Sequence, residues 1–186
     1  MNFWSSIDNA HFRLDPKSQA VLRNSCKNKQ AGISASSGLN FLYDHIDLSQ
    51  DGGDSDLVSG LKFFNAGDTA SALSCFTASM KNNNPWGALA LGNILEQKFL
   101  EIYGNTAYHI GSDAKIDEML NLMIAAYMFG AIFAESAAEE INVEERMANI
   151  ANRCDSEEQF QKVCDGVVDN LQNYILQSPE LMSQIL

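Results

Sequence analysis

Apolar residues along this chain recur at three- and four-residue steps, the period of a buried helix face. Strands would need runs of Val, Ile and Thr in alternation, and none occurs. Ala72, Phe76 and Met80 fall on one face of a helix predicted over 69–82. The turn Asn65-Ala66-Gly67-Asp68 separates it from a helix predicted over 56–66. A third helix, 86–103, opens on the small residues Gly87 and Ala88, and 104–115 reads as a loop or a poorly ordered insertion. A long helix is expected from 116 to 141, continuing toward Arg153. The clearest stripe is Phe160, Val163, Val167, Leu171, Tyr174 and Ile175, a single helix opened by a capping-box pair, Ser156 and Gln159. Ser178-Pro179 then begins a final short turn carrying Leu181, Met182, Ile185 and Leu186.

The first third of the chain is less regular. Asp15-Pro16 is a good helix start, because Asp caps and Pro has no N–H to leave unpaired at the first helical position. Ala20, Val21, Leu22 and Cys26 give a modest apolar face that ends at Gly32. After a Ser-rich joint at 34–37, Leu39, Phe41, Leu42 and Ile46 form a second short helix. The expected architecture is one all-α domain over 1–186. It divides into an N-terminal extension and acidic linker (1–55), a core of antiparallel helix pairs (56–141) and C-terminal helices that cap it (142–186).

Within that core, Gly60, Phe63, Ala72 and Phe76 resemble a tetratricopeptide repeat in identity and spacing. The family places a small residue, an aromatic three later, an Ala near the start of the second helix and an aromatic four beyond it. Gly60 and Ala72 would face each other so that the paired helices approach closely. Gly92 follows Gly60 by 32 positions, close to the repeat length of about 34. Pro85 lies one position beyond its family place, Ser79 stands where Ala is usual, and 100–115 interrupts the second unit. The match covers one and a half repeats. The resemblance implies a right-handed helical array, with a generic helical bundle as the alternative, and a surface that holds another protein. The acidic tetratricopeptide chaperones of bacterial secretion systems are similar in size, although they carry about three consecutive repeats. An immunity protein that covers a toxin is a related reading.

Composition narrows the partners. Net charge is −12, unevenly spread: residues 1–30 carry five Lys or Arg against two Asp, and the remainder therefore holds −15. Such a body repels phosphate backbones and excludes nucleic acid, while a basic protein or peptide suits it. The stretch 119–134 is apolar apart from Asn121, but its 16 residues fall short of the roughly 20 that a bilayer needs. Acidic residues bracket it without Lys or Arg anchors, so it reads as the central core helix and no membrane role is expected. Cys26, Cys75, Cys154 and Cys164 lack metal spacing and read as structural thiols. With no secretory pattern at the start, the expected location is cytoplasmic.

Candidate chemistry is sparse. The 47–56 loop places Asp47, Ser49, Asp51 and Gly52 as a calcium loop would, then fails with Asp54 at position eight and Val58 at position twelve. Neither a metal nor a cofactor is expected. His11, His45 and His109 lie in separate segments without a nucleophile motif, and no polar cluster is evident inside an apolar helix, so no enzyme is expected. Glu135, Glu139, Glu140, Glu144 and Glu145 form an acidic cluster, with Glu135/Glu139 and Glu140/Glu144 stacked on one continuous helix. It reads as a landing surface for a basic partner, against the plainer reading of a solvated face. Lys62, Asn93 and Gln97 are the candidates to line a binding groove. The function expected is an interaction scaffold for one protein or peptide. The alternatives are a self-assembling helical protein that forms a homodimer through apolar ends and, below that, a divalent-metal-responsive module.

Overall fold

A computed structural model describes residues 55–104, 106–134, 138–139 and 141–186. Four fifths of this part is helical, in seven helices without a strand, so the chain is all-α. The helices are α1 (Ser55–Asn65), α2 (Thr69–Lys81), α3 (Pro85–Tyr103) and α4 (Ala114–Phe133), followed by α5 (Val143–Ala151), α6 (Glu157–Asp169) and α7 (Leu171–Ile185). The calcium-like loop at 47–54, the N-terminal segment, Cys26, Glu135 and Glu140 lie outside the described residues.

Local chemistry sets most helix starts. Asp68 Oδ1 accepts from Ser71 N at 3.1 Å, and Asn84 Oδ1 accepts from Trp86 N at 3.0 Å with Pro85 as the first helical residue. Asp113 Oδ1 accepts from Lys115 N, and Ser156 Oγ from Gln159 N. The turn between α1 and α2 needs a left-handed residue, supplied by Gly67 at φ 80°. Three-residue turns join α1 to α2 and α2 to α3, so these neighbours pack as hairpins.

Glycine lets two of these pairs close. A Cβ on Gly60 of α1 would lie 2.6 Å from the Phe76 ring of α2. On Gly92 of α3 it would lie 2.8 Å from the Tyr127 ring of α4. Both glycines thus seat an aromatic ring from the next helix. Gly60 was expected to face Ala72; the atoms nearest it are those of Phe76, one turn further along α2.

α3 packs on α2 and α4, and α7 packs on the same two helices, so α2, α3, α4 and α7 form a closed ring of four. α1 lies on the outside of α2, and α6 on α4. The covering helix expected at the end of the stack therefore lies along it. α4 is the centre: from Leu122 to Phe129 every residue is fully buried, against α3, α5, α6 and α7. Of the described helices it alone is long and apolar enough to cross a membrane, and here its apolar surface is used for packing.

Three predicted boundaries move. The long helix ends at Phe133 instead of running past 141, and α5 restarts at Val143 after Asn142, which adopts φ 55°. The break lets Val143, Met147 and Ile150 turn inward, which a straight continuation of α4 would not achieve. The expected stripe from Phe160 to Ile175 is not one helix but two. Asn170 ends α6, its Nδ2 donating to Gly166 O at 3.0 Å, and α7 begins at Leu171. α7 then runs through Pro179, where only a short turn was expected. Proline cannot donate to the carbonyl of Ile175, four residues back, and Ser178 Oγ lies 3.0 Å from that oxygen instead. The same hydroxyl lies 2.9 Å from Thr77 O, linking α7 to α2.

The 104–115 insertion is pinned. Tyr108 N donates to Arg153 O at 2.7 Å, and Asp155 N donates to Tyr108 O at 2.9 Å, an isolated parallel bridge to the turn between α5 and α6. The buried Tyr108 ring packs on Phe99 and Tyr103, and its hydroxyl donates to Asp117 Oδ1 at 2.7 Å. His109 Nδ1 and Asp155 complete the latch.

Cys154 and Cys164 are buried, and burial first, then the neighbouring charges of Asp155 and Asp165 respectively, pushes both thiols up from 9.0 to about 12. Unfolding in base lets both ionise, so stability is fully present below about pH 9 and is lost as pH rises toward 12. The urea midpoint is expected to fall steadily across this window, less steeply in Cys164→Ala. Equal slopes for parent and variant would contradict the assignment.

Candidate functional site

Two groups of polar residues stand out once the helices are placed. The first is internal, between α3, α4 and α5. Glu96 is buried on α3; its Oε2 accepts from the Tyr127 hydroxyl of α4 and from Arg146 Nη1 of α5 at 2.9 Å. Arg146 Nε donates to Ile141 O at 2.8 Å, so the guanidinium is held at two points. Burial, together with the adjacent Glu96 charge, pushes the Tyr127 phenol well above its ordinary range and keeps it a donor. A charge taken out of water requires this many partners.

Beside it, Asn93 is fully buried and its Oδ1 accepts from the exposed Gln97 Nε2 at 2.9 Å. The Asn93 amide nitrogen has no partner among the described residues, a cost of roughly 1–3 kcal/mol in a buried position. Asn93 was expected to line an open groove; the structure buries it, while Gln97 stays exposed one turn on. Lys62 is exposed in the last turn of α1 and makes no ion pair among the described residues.

This cluster is what the sequence reading missed when it found no polar group inside an apolar helix. A signal existed. Tyr127 and Asn121 are the only side chains with polar atoms other than sulfur between Met119 and Phe133, and a buried tyrosine hydroxyl needs an acceptor. Its acceptor, 31 residues away, could not be read from spacing.

The second group is external. Glu139 is exposed, and Glu144 and Glu145 are exposed in the first turn of α5, where carboxylates suit the positive end of the helix dipole. Asn142 Nδ2 donates to Glu145 Oε2, and Glu145 N to Asn142 Oδ1, a reciprocal cap that orders this turn. The one continuous helix expected through this cluster is replaced by two, ending at Phe133 and restarting at Val143, and the Glu135 and Glu140 members of the expected stacked pairs lie outside the described residues. Residues 139–169 carry nine Asp or Glu against three Lys or Arg, a balance of −6. One of the three cations, Arg146, is turned inward to Glu96.

Among the described residues, no group of three or more His, Cys, Asp or Glu is placed to hold a metal ion. Compared with protein-family models, with curated proteins and with solved structures, the chain matches none.

Proposed function

We propose that this chain is a helical protein-binding module whose acidic α5–α6 face receives a basic segment of one partner protein. The observation that carries the reading is the inward turn of Arg146. By pairing with buried Glu96 it withdraws one of the three cations of 139–169 from a surface on which Glu139, Glu144 and Glu145 are exposed. The Glu96–Tyr127–Arg146 network holds α5 in register with α3 and α4, so the acidic face is presented on a fixed frame. A secretion-type chaperone or a toxin-neutralising immunity protein are the two specific roles that suit such a surface. A tetratricopeptide-like array is the architecture we infer for it, supported by the matched seats of Gly60 on Phe76 and Gly92 on Tyr127.

Self-assembly is the second reading, favoured by the large apolar side chains of Phe63 and Leu176 in water. Purification from the native cell distinguishes the two: a single stoichiometric partner supports the first, and only copies of the chain support the second. With the partner in hand, Glu139→Lys/Glu144→Lys is expected to slow association about tenfold or more at low salt and little at high salt. Folding should change little, since exposed charges contribute little to stability. Unchanged association rates at both ionic strengths would remove the acidic face from the binding surface.

A further inference from the structure

α2 and α7 lie side by side, joined where the Ser178 hydroxyl meets Thr77 O at 2.9 Å. α2 has 13 residues and α7 has 15, so each is roughly 20 Å long. Each carries a single charged side chain, Lys81 and Glu180, and these two pair with each other at 3.3 Å. The outward positions are otherwise neutral: Ala70 and Ser74 on α2 and Leu176, Ser183 and Gln184 on α7 are exposed. Leu176, 48% exposed, is the large apolar side chain among them. Other charges stand at the edges. Asp68 caps the start of α2, Asp56 accepts from Asn82 at its end, and Glu118 of α4 lies beside Tyr174. Leu186, with the main-chain carboxylate, stands beyond the end of α7, where it lines a hollow with Lys98, Glu101 and Lys115.

Net charge decides what such a face can meet. The chain carries −12, and 139–169 alone holds −6, so two copies repel over most of their surfaces. A basic partner is drawn to the acidic α5–α6 face and gains nothing from a neutral one. A second copy is the opposite case, because it approaches with least repulsion across a face whose two charges cancel. A charge-poor centre within a charged rim is also the usual composition of protein–protein contacts, where Lys, Glu and Asp are depleted. Two helices side by side, with axes about 10 Å apart, make a face roughly 20 Å wide. A two-fold contact between such faces buries under about 1,200 Å² in total, the size of weak, reversible contacts.

We propose that the α2–α7 face is where two copies of this chain meet, in a weak two-fold dimer. The inference rests on the self-assembly reading above and confines it to one surface. Sedimentation equilibrium of the full chain up to about 1 mM, at low and high salt, tests it. The dimer is expected to tighten about threefold or more as salt rises, because screening removes the repulsion between two acidic bodies. Association that weakens with salt would join opposite charges instead and would overturn the proposal. Leu176→Glu sets an unpaired charge within the face and is expected to weaken the dimer about tenfold. Phe63→Glu adds the same charge at an exposed position on α1 and should leave the dimer within about twofold of the parent. Circular dichroism of both variants verifies that the helices persist. A dimer kept in Leu176→Glu but lost in Phe63→Glu would uphold self-assembly and sink this face. A chain that stays monomeric at every concentration and both salts would sink the two together.

Discussion

Replacing Arg146 with methionine is expected to lower the unfolding free energy by about 3–5 kcal/mol, the usual cost of removing one partner from a buried ion pair. The loss comes from Glu96, not from the arginine. Glu96 is almost wholly buried on α3, and without Arg146 its carboxylate keeps only the Tyr127 hydroxyl. Glu96→Leu alone should cost less, because Arg146 is closer to solvent and retains its bond to Ile141 O. The double variant Glu96→Leu/Arg146→Met should recover most of the stability, since an apolar replacement leaves no unpaired charge behind. Equilibrium denaturation of the four proteins measures the coupling directly. Independent losses that simply add would mean that the two side chains do not form a unit. The proposed function draws on the same residues: if Arg146 also fixes the pose of α5, Arg146→Met should disturb partner binding even where the fold persists.

Gly92→Leu is expected to be comparably severe, at about 3 kcal/mol, the upper end for an overpacked core. A Cβ there already lies 2.8 Å from the Tyr127 ring, and leucine adds three more carbons in the same direction. The ring cannot swing aside freely, because its hydroxyl is held by Glu96. Relief therefore requires either separation of α3 from α4 or loss of the Tyr127–Glu96 bond. Helix propensity works the other way, since replacing an interior glycine gains up to about 1 kcal/mol, and that gain is far too small to compensate. Thermal melting of Gly92→Leu beside the surface control Gly166→Leu isolates the packing effect. A Cβ on Gly166 meets nothing within 4 Å, so that variant should melt at or above the parent. Equal melting of the two variants would mean that the contact between α3 and α4 is looser than drawn.

Helix starts were legible in the sequence because capping is local. Asp68 and Ser156 sit within three residues of the N–H groups that they satisfy, so their roles follow from spacing. Helix ends were less legible. The stops after Phe133 and Asp169 lie inside patterns that continue to look helical, and no proline enforces them. Pro179, the residue that did look like a stop, is carried through by a neighbouring hydroxyl. Of the candidate site, the exposed acids were readable as a charged run. The fate of Asn93, expected in a groove and found buried, depended on which helices cover α3.

The sequence by itself determined the all-helical class, the central burial of α4 and the acidic character of the surface. Each depends on the period of apolar residues or on a count of charges, and both are properties of short windows of chain. Only the tertiary structure decided that α7 lies across α2 and α4, that Tyr108 pins its loop to the turn between α5 and α6, and that Arg146 points inward. Glu96 and Arg146 are 50 residues apart in the chain, and Thr77 and Ser178 are 101 apart. No local pattern encodes such a pairing. It follows from where the apolar faces of several helices can be buried at once, and the polar partners are brought together by that arrangement.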